Sequence, residues 1–455
     1  MKSYSEIIRL VWPLALGMIN NAVMQFVDRA YLARESMESL EAVLPASILA
    51  WIFMSFFQSV TGYANVFVAQ YHGAQDEGKC RACYHAALAI AGVSGLLMLP
   101  LWPLGDWILS LTASSASLLA RERTYFDIVI LGGFAVYGQM AAASYFTGRG
   151  QTRIVFWVNL IGNLLNIALD PLLIFGRWGF PCLGIAGAAY ATVFSMVVQT
   201  VVLVWAAQRA TAGRKTEDGR REAAGRETED ARRAMGGLIA RILRFGVPSG
   251  AYTVLNMLSF TIFVFVTGGV GDLELAVSNA CFTVNYLLIA PIEGFALGAS
   301  TLVAQALGRK DASAAEANGM RTLYLGVGFV AVLSLLVLLL NRPLLALFAP
   351  SDAAVASEFR SLGFILFVLM TVWQVFDAAE VIVSGALKGG GDTKFVMWWM
   401  LVSAFLVWLP LVFVVRHFSN TMPALWSTMV VYVLVLCAGS FVRWRRGRWK
   451  MMKMT

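Results

Sequence analysis

Residues 159–170 read NLIGNLLNIALD. Asn159, Asn163, Asn166 and Asp170 recur at i, i+4, i+7 and i+11. On a helix, that spacing gathers all four into an arc of about 60°. Leu, Ile and Ala fill most of the remaining circumference. A carboxylate at membrane depth costs at least about 2.5–3.5 kcal/mol, so Asp170 is expected to face a cavity or a partner and not lipid. The stripe is therefore read as the lining of a cation pathway. Amides that merely join helices would account for the three Asn residues. They would not account for the acid at the end.

The surrounding composition agrees with a membrane setting. Of 455 residues, 59% are hydrophobic and only 14% charged, against about 25% charged in soluble proteins. Apolar runs recur along the whole chain, which predicts an all-α polytopic protein. Twelve spans are expected, near 7–33, 43–70, 83–104, 122–146, 154–176, 184–207, 241–267, 276–306, 319–340, 358–385, 394–415 and 423–444. The first run is interrupted by Pro13, Asn20, Asn21, Gln25 and Asp28, so it does not read as a cleavable signal peptide. The net charge of +8 is assigned to orientation, not to nucleic acid. Most Lys and Arg fall on the side of the N-terminus, which puts both termini in the cytoplasm of a multi-pass plasma-membrane protein. The basic tail RWRRGRWKMMK is suited to anionic headgroups.

The chain repeats internally. VAQYHGAQD (68–76) returns as VAQALGRKD (303–311), and the same offset pairs Pro13 with Pro248. GRGQTRIVFW (148–157) returns as GGGDTKFVMW (389–398). Repetition on this scale marks a transporter. Residues 1–208 are expected to form a first lobe of six spans and 238–455 a second. Residues 209–237 are expected to be a solvated cytoplasmic linker, partly helical. Six spans per lobe predicts two pseudo-symmetric bundles with a cavity between them that rocking would open alternately. The Gly-rich strings read as tight turns and not as phosphate loops, because their spacing to Lys is wrong. Pro13, Pro248 and Pro291 are expected to bend their spans. Cys80 and Cys83 form an isolated CxxC without a second pair, so no metal or redox site is assigned to it. Cys182, Cys281 and Cys437 read as small core residues.

Few acids fall within the spans. Asn21, Gln25 and Asp28 share a face of span 1, and Asn279, Thr283, Tyr286 and Glu293 a face of span 8. Gln374, Asp377, Glu380 and Ser384 group on span 10. Such acids are candidate proton or Na⁺ sites whose occupancy couples to substrate. Asn21, Gln25, Asn159, Asn256, Asn279 and Tyr286 are the polar candidates for the substrate cavity, and Asn163 extends the coupling stripe.

These features resemble the multidrug and toxic compound extrusion (MATE) family. The resemblance rests on twelve spans in two lobes, the paired VAQ-x-x-G strings, the paired Gly-rich turns, and acids in spans 1, 5 and 10. It implies a V-shaped pair of six-helix bundles that exports small amphipathic, cationic compounds against H⁺ or Na⁺. QFVDRAYLAR resembles the family's span 1 coupling motif, which implies that role for Asp28. NIALD resembles the N-lobe cation site of the DinF-like branch, which implies Asn166 and Asp170, with Thr192 of span 6 completing it. QVFDAAE resembles the span 10 motif of the NorM-like branch, which implies Asp377. Where that branch carries a span 7 Glu, this chain has Ser259 in LSFTIF. Its C-lobe site is therefore expected to be altered, with Glu293 and Glu380 as further candidates. No cofactor is expected beyond the coupling ion. The only metal foreseen is Na⁺, at Asp28, Asn166 and Asp170. The expected partners are a small-molecule substrate and the lipid bilayer, with the protein a monomer.

Two other classes compete. A flippase for lipid-linked oligosaccharide or polyprenyl pyrophosphate would need intramembrane Arg or Lys for phosphate, and the acids argue against it. A membrane-embedded enzyme would need a nucleophile–His pairing, which His72, His85 and His417 do not offer. The protein is not expected to be an enzyme.

Overall fold

A computed structural model describes residues 2–112, 115–212, 227–350, 352–452 and 454. Among the described residues the fold is helical, without strands. Twelve helices are long and apolar enough to cross a membrane. They are α1 (Tyr4–Glu35), α2 (Glu38–Gly73), α3 (Glu77–Met98), α4 (Ala116–Gly148), α5 (Thr152–Phe175) and α6 (Ile185–Ala212). Then follow α7 (Ala234–Thr267), α8 (Asp272–Gly308), α9 (Ala312–Leu339), α10 (Ala353–Gly389), α11 (Thr393–Phe418) and α12 (Met422–Arg445). Short helices at Leu101–Thr112 and Asn341–Ala346 follow α3 and α9. The twelve expected spans are all present. Several run further than the hydropathy did, and α10 ends at Gly389 instead of residue 385. Polar residues in an end turn hide it from hydropathy without breaking its backbone hydrogen bonds. Pro13, Pro248 and Pro291 lie inside continuous helices. Of the expected linker 209–237, residues 213–226 lie outside the described residues, and 227–237 are helical and lead into α7.

The repeats are turns and caps. Gln75 and Lys310, equivalent in the VAQ strings, both take the left-handed conformation, with φ of 61° and 59°. The next residues, Asp76 and Asp311, cap α3 and α9 by accepting from the backbone N–H of Lys79 and Ala314. Gly150 and Gly391 fill the matching left-handed positions of the Gly-rich turns, which glycine adopts at least cost. The VAQ glutamines hold the chain ends. Gln305 accepts from Lys2 Nζ at 3.0 Å, and Gln70 donates to Met454 Sδ at 3.3 Å. Burial lowers the proton affinity of Lys2.

By packing, the chain falls into two compact units, described separately. One holds Met1–Ile19 with Leu255–Lys453, the other Asn20–Val254 with Met454–Thr455. These bounds differ from the expected lobes 1–208 and 238–455. Each unit takes in the opening stretch of the other half's first helix, and the cuts after Ile19 and Val254 stand at the repeat offset. Glycine makes room for both insertions. In the first unit Gly294 and Gly298 of α8 lie against Ala15 and Val11 of α1. In the second, Gly246 and Gly250 of α7 lie against Val60 and Phe56 of α2, where added Cβ atoms would stand 2.9 and 2.8 Å from backbone oxygens.

The cysteines divide. Cys80, Cys83 and Cys281 are buried thiols, whereas Cys182 is exposed and Cys437 partly so. The core assignment of Cys182 is thereby corrected. It lies in the turn between α5 and α6 and not in a helix interface.

Candidate functional site

The stripe of α5 is enclosed in the Asn20–Val254 unit, where it meets α1, α4 and α6. Asn163, Asn166 and Asp170 are buried, at 3%, 0% and 0% exposure. Asn163 donates to Asn21 Oδ1 at 2.7 Å and accepts from Gln199 Nε2 at 3.3 Å. Gln139 of α4 donates to Gln199 Oε1 at 2.6 Å and to Asn159 Oδ1 at 2.9 Å. Asn20 donates to the Asn159 carbonyl at 3.4 Å. A ladder of amides thus runs along the helices, and Gln25 stands half-buried on the same face of α1. Gln139 and Gln199 were not singled out from sequence. Gln139 is a lone amide in its span and Gln199 shares its span only with Gln208 near the end, and periodicity alone gives such amides no partner.

The ladder ends on acids. With its amide turned so that its oxygen meets a donor, Asn166 donates to Asp28 Oδ1 at 2.8 Å and accepts from the backbone N–H of Thr192 at 3.2 Å. Thr192 places its hydroxyl on the Ala188 carbonyl at 2.9 Å. The carboxyls of Asp28 and Asp170 lie within side-chain hydrogen-bonding reach of each other, with Tyr125 beside both. No donor among the described residues meets either oxygen of Asp170. Two ionised carboxylates only accept hydrogen bonds. Their contact therefore needs a proton or a small cation between them. Arg29, exposed on α1, is a positive neighbour of Asp28 and Tyr125, and makes no ion pair with either acid of the pair among the described residues. The structure brings Asp28, Asn166, Asp170 and Thr192 together.

The Leu255–Lys453 unit carries a second group of charges. Glu380 is buried at 1% exposure. It accepts from the Ser384 hydroxyl on its own helix and from Ser440 of α12 at 3.4 Å. Asp377, half-buried, has Glu380 and Glu293 as charged neighbours. Lys388, in the last turn of α10, is the positive neighbour of both Glu293 and Glu380. Sequence reading missed it by ending the span at residue 385. The spacing Glu380, Ser384, Lys388 was a usable signal, since i, i+4 and i+8 share one helix face. Gln374 is fully buried, with neither amide atom partnered among the described residues. Ser259 stands apart. It is buried and donates to the Asn256 carbonyl of its own helix at 2.9 Å, so it adds no ligand to the acids. Asn256, Asn279, Tyr286 and Glu293 are exposed, although α8 is the most enclosed of the twelve spans. Trp408 and Trp426 are core residues with satisfied indole N–H groups. Among the described residues no three or more of His, Cys, Asp and Glu gather as a metal cluster.

Twelve apolar helices in a repeated chain, with carboxyls lodged in both units, are the framework of a multi-pass membrane protein built for transport. Comparison supplies the family. The MatE family model matches residues 13–172 and 248–414, and the chain belongs to that family of multidrug efflux transporters. It is 27% identical to the multidrug resistance protein PmpM of Pseudomonas aeruginosa, over 89% of this chain and 81% of that one. It is 23% identical to an uncharacterised transporter, YisQ, of Bacillus subtilis, over 97% and 94%. Among solved structures it resembles the eukaryotic MATE transporter AtDTX14, with a TM-score of 0.83 and 18% identity over 98% of this chain and 96% of that one. It also resembles a MOP superfamily transporter from Pyrococcus furiosus, with a TM-score of 0.80 and 20% identity over 99% and 97%. The protein is a transporter and not an enzyme, as its sequence indicated, and nothing found supports the flippase reading.

Proposed function

We propose that this protein is a cation-coupled antiporter. It exports small amphipathic, cationic organic compounds by alternating access, with Asp28 and Asp170 as the coupling pair. The observation that carries this reading is the contact of the two carboxyls, one of them fully buried and without a donor. Such a contact is stable only when a proton or a hard cation occupies it, so its occupancy can alternate with substrate. The carboxylate oxygens of Asp28 and Asp170 form a hard donor set suited to H⁺ or Na⁺ and poor for soft metals. The names of relatives such as PmpM support small-molecule export. The protein works as a monomer in the plasma membrane, with both termini cytoplasmic and no cofactor beyond the coupling ion.

Efflux of ethidium from proteoliposomes tests the reading, first under a pure Na⁺ gradient and then under a pure proton gradient. Coupled efflux is expected under one of the two. Efflux insensitive to both would overturn the coupling, and its absence under both would overturn cation export.

A further inference from the structure

The charges of the Leu255–Lys453 unit are brought together by close helix contact. α8 and α10 form the most extensively packed pair of elements in the chain. A Cβ at Gly385 would lie 2.5 Å from the Ala296 carbonyl oxygen, and one at Gly389 would collide with that of Ser300. Both pairs are separated by 89 residues and rise together, so the two helices run parallel in one register. Carried back along the helices, that register sets Glu293 opposite Ile382, between the levels of Glu380 and Lys388. Helical side chains slant toward the N-terminus of their helix. The stem of Lys388 therefore runs back toward Ser384 and Glu380, and its ammonium neighbours both glutamates. The other groups around this cluster are Asp377 on α10 and Tyr432, Cys437 and Ser440 on α12.

We propose that Lys388 is a tethered counter-cation. It occupies the carboxylates of Glu293 and Glu380 while no free cation is there, and gives way when a monovalent organic cation binds them. This rests on the cation-export reading above. Glu293, Glu380 and the neighbouring Asp377 outnumber the one ammonium, so negative charge remains uncompensated. An incoming monocation is attracted by that charge, and the tethered ammonium competes with it at high effective concentration. Lys388 thereby sets how tightly cargo is held and how readily it leaves. It is a positioning residue, acting through the two acids.

The test is ethidium efflux from proteoliposomes by the full-length protein, with kinetics resolved into apparent KM and maximal rate. Lys388→Gln should lower KM by about fivefold or more, the scale expected from losing a charged neighbour in a partly buried site. It should also slow the maximal rate, because cargo is no longer displaced. Lys388→Arg should retain wild-type behaviour, and Glu293→Gln with Lys388→Gln should return KM toward wild type. A lysine that only packs the end of α10 would reduce the rate and leave KM unchanged, and that result overturns the proposal. If Lys388→Gln fails to fold, Glu293→Gln alone decides. With one acid fewer for the cargo, KM must rise, and an unchanged KM overturns the proposal. A wild-type protein that moves no ethidium under either gradient overturns the export reading instead, and this inference with it.

Discussion

Asp170 sits at 0% exposure with Pro171 beside it and, among the described residues, no donor on either oxygen. At the scale of single residues, everything proposed for transport turns on that arrangement. Asp170→Asn and Asp28→Asn each replace a shared charge by an amide that cannot release a proton. Coupled efflux in proteoliposomes should fall below about a tenth of wild type, a loss of more than about 1.4 kcal/mol in transport barrier, with folded yield retained. Wild-type rates in either variant would remove the pair from the mechanism. Asp377→Asn should impair efflux less than Asp28→Asn, because the span 7 position of that unit holds Ser259, bonded within its own helix, and not an acid. If Asp377 proves the more sensitive, coupling belongs to the Leu255–Lys453 unit. The acids and the stripe were legible in sequence, since polar atoms in an apolar run are conspicuous. Gln139, Gln199 and Lys388 were not, because each matters only through partners on other helices.

At the scale of elements, glycine governs how closely helices approach. Gly385 has the Ala296 carbonyl 2.5 Å from where a Cβ would stand, and Gly17 has nothing within 4 Å. Gly385→Ala should destabilise the protein by about 1–3 kcal/mol, the usual cost of overpacking. Gly17→Ala should be neutral or stabilise α1 by up to about 1 kcal/mol, from helix-interior glycine being unfavourable. Thermal midpoints in detergent compare the two, and equal effects would mean that the α8–α10 contact is looser than described. The repeated strings show the same division of legibility. VAQYHGAQD and VAQALGRKD announced themselves as a pair, but their work as a left-handed turn followed by an Asp cap became visible only in three dimensions.

At the scale of the whole molecule, the two compact units do not coincide with the two halves of the sequence. Residues 1–212 expressed alone lack the α7 opening that fits against Val60 and Phe56. That fragment should be unstable and rapidly degraded, whereas co-expression with residues 227–455 should restore folded protein on a gel-filtration trace. A stable, monodisperse N-terminal fragment would show that the exchange of helix openings contributes little. Orientation has its own test. Cys182 is exposed in the turn after α5, and Cys80, Cys83 and Cys281 are buried. With the N-terminus cytoplasmic, that turn lies outside. A membrane-impermeant maleimide should label intact cells through Cys182 and lose the label in Cys182→Ser. Labelling only after lysis would reverse the orientation.

The sequence by itself determined the class of protein, the twelve spans, the internal repeat and the polar stripe of α5. These are local or self-comparing properties: hydropathy along a helix, periodicity around it, and likeness between two strings. Only the tertiary structure decided that Asp28 meets Asp170, that Lys388 neighbours both Glu293 and Glu380, and that each unit takes in a stretch of helix from the other half. Those are choices of which helix faces meet and in what register. They are set by glycine contacts and side-chain volumes far apart in the chain, which no periodicity records.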